Sequence, residues 1–140
     1  FPAMAAGARL HTLLYVEDNQ PNLKLVEQLI ARYPNLRLLT AVNGADGLQL
    51  ARTAQPDVIL LDINLPDLNG FEVLKILRAM PATAHIPIVA VSANAMPRDI
   101  RKGLEAGFFR YITKPINVTE FIDTLLVALE FARDNAGQKP

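Results

Sequence analysis

The sequence predicts a doubly wound α/β domain: a five-stranded parallel sheet with helices on both faces. Three observations predict it. Strand-like and helix-like patterns alternate five times along the chain. The strand candidates are short and mostly apolar, and Val58 to Leu61 is an unbroken apolar run, as a strand covered on both faces should be. The length is 140 residues, 51% hydrophobic and 20% charged. At roughly 150 residues per domain that suits a single domain, large enough to build a core without staples.

The elements follow in order. Leu10 to Val16 is the first strand. Asn19-Gln20-Pro21 supplies a capping residue and an early proline, and so starts the first helix. Leu23, Val26 and Ile30 form its apolar face, and Tyr33-Pro34-Asn35 stops it. Leu36 to Val42 is the second strand, and Asn43 caps a second helix carrying Ala45, Leu48 and Ala51. Val58 to Leu61 is the third strand, Asp62 to Gly70 a loop, and Phe71 to Met80 the third helix. Pro87 to Val91 is the fourth strand, with proline at the first position, where it is tolerated. Pro97 to Ala106 is the fourth helix, ended by Gly107, and Phe108 to Ile112 the fifth strand. Asn117 with Glu120 gives a capping-box pattern for the fifth helix, lined by Phe121, Ile122, Leu125 and Leu129. Residues 1–8 are small and featureless and read as a linker or remnant. Residues 134–140 lack an apolar period and read as a flexible tail. The domain is expected over 9–133.

Composition narrows the function. Fourteen basic and fourteen acidic residues cancel, which argues against direct nucleic-acid binding through a basic surface. The chain has no Cys, so a disulfide scaffold, a thiolate zinc site and a Cys nucleophile are excluded. Two His, His11 and His85, are too few for a His-rich metal site. No apolar run reaches the ~18 residues of a membrane span, and the expected compartment is the cytoplasm.

Open parallel sheets bind ligands outside the carboxyl ends of their strands, so the residues after each strand matter most. These are Glu17 and Asp18 after the first, Asp62 after the third, Ser92 after the fourth, and Thr113, Lys114 and Pro115 after the fifth. In the flavodoxin-like strand order 2-1-3-4-5 the first and third strands are neighbours, and Glu17, Asp18 and Asp62 converge. Two carboxylates ~4 Å apart repel by about 4 kcal/mol at an effective dielectric near 20. Such a cluster needs a cation or a proton, and an all-oxygen set favours a hard cation such as Mg²⁺. Lys114 adds a positive charge and Ser92 a hydroxyl. The set makes chemical sense as a phosphoryl site, with a carboxylate nucleophile and charges that neutralise the transferring oxygens. Taken singly, Asp18 reads as a helix cap or solvated acid, Ser92 as a cap for the next helix and Lys114 as surface. It is their joint occurrence at four strand ends that points to a site. Asp46, Asp57, Asp67 and Asp99 lie away from the strand ends, and neither histidine has a partner in sequence.

Four motifs in order now resemble the response-regulator receiver domain of two-component signalling (CheY-like). They are Leu14-Tyr15-Val16-Glu17-Asp18-Asn19, Ile59-Leu60-Leu61-Asp62-Ile63-Asn64-Leu65-Pro66, Val91-Ser92-Ala93-Asn94-Ala95 and Tyr111-Ile112-Thr113-Lys114-Pro115-Ile116. The resemblance covers about residues 10–130. It implies that Asp62 is the phosphoacceptor. It implies Mg²⁺ (or Mn²⁺) on Asp18, Asp62 and the backbone carbonyl of Asn64, with Glu17 acting partly through water. Lys114 would pair with the acyl phosphate, Ser92 and Tyr111 would switch, Asn64 and Asn94 would tune hydrolysis, and Lys114-Pro115 would be cis. The implied partner is a histidine kinase or histidine phosphotransfer domain. A homodimer through the face of the fourth helix, fifth strand and fifth helix is also implied. The Glu-Asp pair, where Asp-Asp is also common, and Phe108-Phe109 depart from the family pattern; the two Phe read as core.

A receiver is a phosphoacceptor rather than an enzyme, though slow self-catalysed phosphorylation and dephosphorylation are expected. The Phe start and Ala-rich leader suggest excision from a longer protein such as a hybrid histidine kinase. Three rival readings remain. A flavin carrier shares the architecture, but the acids after the first strand would repel a phosphate. An aspartyl-nucleophile phosphatase would place nucleophile and acid together after the first strand. A phosphorylation-independent interaction receiver would not bind Mg²⁺.

Overall fold

The computed structural model describes residues 10–134. Strands and helices alternate: β1 (His11–Val16), α1 (Gln20–Ile30), β2 (Leu36–Ala41), α2 (Gly44–Ala54), β3 (Val58–Asp62), α3 (Gly70–Ala79), β4 (Ile88–Ser92), α4 (Pro97–Ala106), β5 (Arg110–Thr113) and α5 (Val118–Asp134). All strand pairs are parallel, in the order β2-β1-β3-β4-β5. This is the expected flavodoxin-like order, in which the first and third strands are neighbours. The segments read as leader and tail lie outside the described residues, except Asp134, which closes α5.

A strand's side chains alternate between faces, so the two sides of the sheet carry separate cores. Leu13 and Tyr15 join Val26, Leu60, Phe121 and Ile122 beneath α1 and α5. Leu14 and Val16 join Leu61, Val73 and Leu77 beneath α2 and α3. Every residue of β3 and β4 is buried, which explains their continuous apolar reading. At roughly 1.5–3 kcal/mol per large apolar side chain buried, these two layers hold the sheet between its helices.

Several strand boundaries differ from the sequence reading. β3 continues through Asp62 and β4 through Ser92, because Asp62 pairs with Val91 and Ser92 with Thr113. Those two polar residues therefore sit on the rigid sheet rather than in loops. β5 begins at Arg110, not Phe108. Phe108 instead turns into the α3 side of the core, 3% exposed, its ring edge-on to Phe71 at 5.6 Å. Phe109 packs on the opposite core, 5.0 Å from the Phe131 ring. Leu10 and Val42 fall outside the strands and are exposed.

Asparagines start four of the five helices, and α4, after Met96, has no side-chain cap. Asn19 Oδ1 accepts from Asn22 N at 3.1 Å, Asn43 Oδ1 from Asp46 N at 2.8 Å, and Asn117 Oδ1 from Glu120 N at 2.9 Å. At α3 the cap is reciprocal: Asn69 Oδ1 accepts from Phe71 N and Glu72 Oε1 accepts from Asn69 N. Asp67 caps α2 from outside it, accepting from Gly44 N at 2.7 Å and Ala45 N at 3.0 Å. Those backbone N–H groups, led by Gly44, hold its carboxyl below the ordinary range.

Gly70 is fixed by space. A Cβ there would lie 2.6 Å from Ile63 Cα and 2.9 Å from Asp62 O, so the first turn of α3 rests directly on the chain leaving β3. Asn69→Ala is expected to cost about 1 kcal/mol, a drop of roughly 4 °C in melting temperature. Gly70→Ala should cost clearly more, because backbone rather than a side-chain tip must move. Thermal denaturation of the two variants checks the order, and equal losses would mean that the contact with Ile63 is soft.

Candidate functional site

The carboxyl ends of β1, β3, β4 and β5 meet at one end of the sheet. β1 delivers Glu17, whose N–H is held by Ala41 O of β2 at 2.9 Å. Glu17 is fully buried and Asp62 is 3% exposed. A buried carboxylate must be hydrogen-bonded or paired, and Glu17 is both. Its Oε1 accepts from Tyr15 OH at 2.9 Å and from Asn22 Nδ2 at 3.4 Å, and its Oε2 from Asn19 N at 3.3 Å. Lys114 Nζ lies 2.8 Å from Glu17 Oε1 and 3.2 Å from Asp62 Oδ2. Asp62 Oδ1 accepts from Asn64 N at 3.0 Å. One carboxylate oxygen each from Glu17, Asp18 and Asp62 falls within 4.8 Å of the others. Asp18 is exposed at the mouth of the group, and Asn19 rather than Asp18 caps α1.

The two buried acids, Glu17 and Asp62, share one lysine and are left one positive charge short. Burial and the neighbouring Glu17 push the Asp62 carboxyl up to about 7. Burial also pushes Glu17 up, but hydrogen bonds with Asp62, Lys114 and Tyr15 outweigh it and hold Glu17 below its ordinary value. Burial lowers Lys114, and its two carboxylate partners more than restore it, so it stays charged. Burial, with Glu17 beside it, keeps the Tyr15 phenol protonated and donating. The proton on the acidic pair thus stands where a cation would. The donors are oxygens, they converge, and the deficit is positive, so the residues present fit a hard divalent cation.

The other expected residues lie beside this core. Ser92 is fully buried at the end of β4; its Oγ accepts from Asn94 N at 3.0 Å and does not cap α4. Tyr111 OH donates to Asn94 O at 2.8 Å. Asn94 is therefore held from both sides, by Ser92 through its N–H and by Tyr111 through its carbonyl. The Tyr111 ring lies against α4 where Gly103 makes room, since a Cβ there would come within 2.7 Å of it. Asn64 and Asn94 are exposed at the rim. The Lys114-Pro115 bond is cis, and Lys114 N donates to Ser92 O at 2.8 Å. Neither histidine joins the site; His11 Nδ1 lies 3.7 Å from Asp57 Oδ2 at the far end of the sheet.

Sequence reasoning missed Tyr15, Asn22 and Gly103. Tyr15 was findable: in a strand, residues two apart share a face, which puts it beside Glu17. Asn22 lies one helical turn from its partner's loop, and Gly103 meets Tyr111 only in the folded chain.

Residues 13–126 match the family model for the response regulator receiver domain. The chain belongs to the response regulator receiver family. It is 42% identical over 116 residues to the polar-differentiation response regulator DivK of Brucella anthropi, covering 81% of this chain and 92% of that protein. DivK of Brucella abortus is 41% identical over the same shares. The fold matches a crystal structure of a putative response regulator from Chloroflexus aurantiacus, with TM-score 0.81, 27% identity, and 87% and 99% of the two chains covered. It also matches the receiver domain of a sensor histidine kinase from Pseudomonas aeruginosa, with TM-score 0.78 and 29% identity, over 86% of this chain and 98% of that one. That receiver was crystallised with a magnesium ion coordinated in its active-site cleft.

The raised Asp62 carboxyl fixes a pH dependence. In metal-free protein its folded value, about 7, stands above the ordinary 3.8. Its contribution to stability is therefore full below about pH 4 and lost as pH rises through 7, on the order of a few kcal/mol. Asp62→Asn in EDTA should raise the melting temperature, more at pH 8 than at pH 5, and should weaken the upshift caused by Mg²⁺. Melting curves across that range check this; a gain independent of pH would mean that the pair shares no proton.

Proposed function

We propose that this receiver domain accepts a phosphoryl group on Asp62 from a phosphohistidine of a histidine kinase or histidine phosphotransfer domain. One observation carries the reading: a buried carboxylate at the end of the central strand, within 3.2 Å of a lysine and beside two further acids. Mg²⁺, or Mn²⁺, would be held by Asp18, Asp62, the Asn64 carbonyl and Glu17, the last partly through water. Bound there, the cation supplies charge neutralisation for the phosphoryl oxygens.

The chain's own residues account for the rest. An Asp62 carboxylate oxygen attacks phosphorus, a P–O bond forms, and the P–N bond to imidazole breaks with its electron pair leaving on nitrogen. Phosphoryl transfer depends mainly on positioning and charge. The Asn64 N–H orients Asp62 from one side, and Lys114 neutralises charge from the other. Water later hydrolyses the acyl phosphate, and Asn64 and Asn94 at the rim set its access. Phosphorylation adds charge and acceptor oxygens, which draw Lys114 and the Ser92 hydroxyl. Movement of Ser92 Oγ releases the Asn94 N–H, shifts the loop, and removes the acceptor of Tyr111. Tyr111 then turns inward, and the α4-β5-α5 face changes, with exposed Leu104 on α4 and Val127 on α5. That face is the candidate homodimer surface. The reading includes neither nucleic-acid nor membrane contact; among the described residues no helix is long and apolar enough to cross a membrane.

Intact-protein mass spectrometry after acetyl phosphate treatment tests the acceptor. One added phosphoryl group should require both Mg²⁺ and Asp62 and be absent from Asp62→Asn. No adduct together with no binding of beryllofluoride would leave a phosphorylation-independent interaction domain instead. Ser92→Ala should still accept the group yet lose its NMR shifts on the α4-β5-α5 face; intact shifts would refute the coupling through Asn94.

A further inference from the structure

β2 is an open sheet edge. It pairs with β1 along its whole length, from His11 with Leu36 to Val16 with Ala41. Among the described residues no strand pairs with its other side. His11 N donates to Asn35 O and Glu17 N to Ala41 O, which fixes the parity. The main-chain groups of Arg37 and Leu39 face β1, and those of Leu38 and Thr40 face outward. Such edges are usually blunted by lysine, proline, a bulge or short length. β2 runs six residues, LRLLTA, with one charge and no proline, whereas the opposite edge, β5, is four residues long and opens on exposed Arg110.

The flanking helices leave a groove on each side of this edge. Glu27 and Ile30 of α1, with Ala31, Tyr33 and Leu38, line one of about 450 Å³. Asp46, Gln49, Leu50 and Thr53 of α2 border another of about 410 Å³. Thr40 lines both. The α2 residues fall at i, i+3, i+4 and i+7, one continuous stripe turned toward the open edge. Tyr33 is 8% exposed, and its hydroxyl is buried with no hydrogen-bond partner. Val42, at the end of the edge, is 44% exposed.

We propose that β2 is an interface for a second copy of this chain, paired antiparallel about a two-fold axis at Leu39. In that register Leu38 of one copy meets Thr40 of the other, and each such pair exchanges two N–H···O bonds, satisfying the outward groups. Leu39 meets Leu39 at the axis, and Arg37 falls opposite Ala41, so no like charges stand directly opposed. Spacing selects a second copy over a single added peptide. α2 packs across both β1 and β2. Its symmetry mate therefore lies two strand spacings away, about 10 Å, near the upper end of the interaxial distances of packed helices. The two α2 stripes close over their groove, which a lone strand would leave uncovered. The interface is isologous and needs no phosphoryl chemistry.

Sedimentation velocity without phosphodonor, from micromolar to near-millimolar protein, is the test, with circular dichroism verifying that each variant is folded. The wild type should dimerise with concentration. Thr40→Pro removes an outward N–H but no bond to β1, and Thr40→Lys places a charge on the edge. Each should weaken the dimer by about tenfold or more, while Leu104→Lys on α4 should leave it intact. The chain lacks Cys, so Leu39→Cys should cross-link across the axis on oxidation and Arg37→Cys should not. A monomer throughout overturns the proposal, as does a dimer unmoved by both Thr40 variants or one that Arg37→Cys cross-links instead.

Discussion

Burying the Glu17 carboxylate is the constraint around which this end of the molecule is built. An ion of that size carries an idealised transfer cost of order 20 kcal/mol into a low-dielectric interior, and still several kcal/mol after relaxation. The chain answers with four donors, from Tyr15, Asn19, Asn22 and Lys114. Each comes from a different structural position: strand, loop, helix and the segment after β5. The first turn of α1 and the run after β5 are thereby tied to β1. Removing any one donor leaves acceptor capacity buried, so the arrangement tolerates little change.

The same constraint explains the state of Asp62. Once Glu17 holds the ion pair with Lys114, a second nearby carboxylate has too little positive charge to remain ionised without help. It takes a proton at a pH where free aspartate would not. The site is thus short of positive charge by construction, and that shortage favours an added cation. A fully paired cluster would give a more stable fold with less reason to react. Stability is surrendered here at the carboxyl ends of the strands, whereas the buried apolar residues of β3 and β4 supply it below.

Much of this was legible in the sequence, and the reasons divide cleanly. The parallel sheet followed from alternation, and the convergence of Glu17, Asp18 and Asp62 followed once that sheet was placed in the flavodoxin-like order with its site at the carboxyl ends of the strands. The asparagine caps at 19, 43 and 117 are local signals and were readable as such. Asn69 was not read as a cap, although Glu72 three residues on completes the pattern, because the preceding Asp62, Pro66 and Asp67 look like loop. Asp67 capping α2 was out of reach: its partners are more than twenty residues earlier, and nothing local marks the contact. Strand ends were misplaced at Asp62, Ser92 and Phe108 for one reason. Residue type marks polarity, while a ladder ends where its partner ends, and only the register shows that.

The two edges of the sheet stand in different relation to the site. β5 reaches it through Tyr111, whose hydroxyl shares Asn94 with buried Ser92 and whose ring rests on the space left by Gly103. Any change at the end of β4 must therefore be felt along α4 and β5. Among the described residues, β2 reaches the site by the bond from the Glu17 N–H to Ala41 O, which continues the regular ladder. A two-state response requires an element with alternative contacts. On the proposed reading the α4-β5 side supplies one in the doubly held Asn94, and the β2 ladder bond supplies none. Pairing along β2 would add copies without adding a signal, and the signal would leave from the opposite edge.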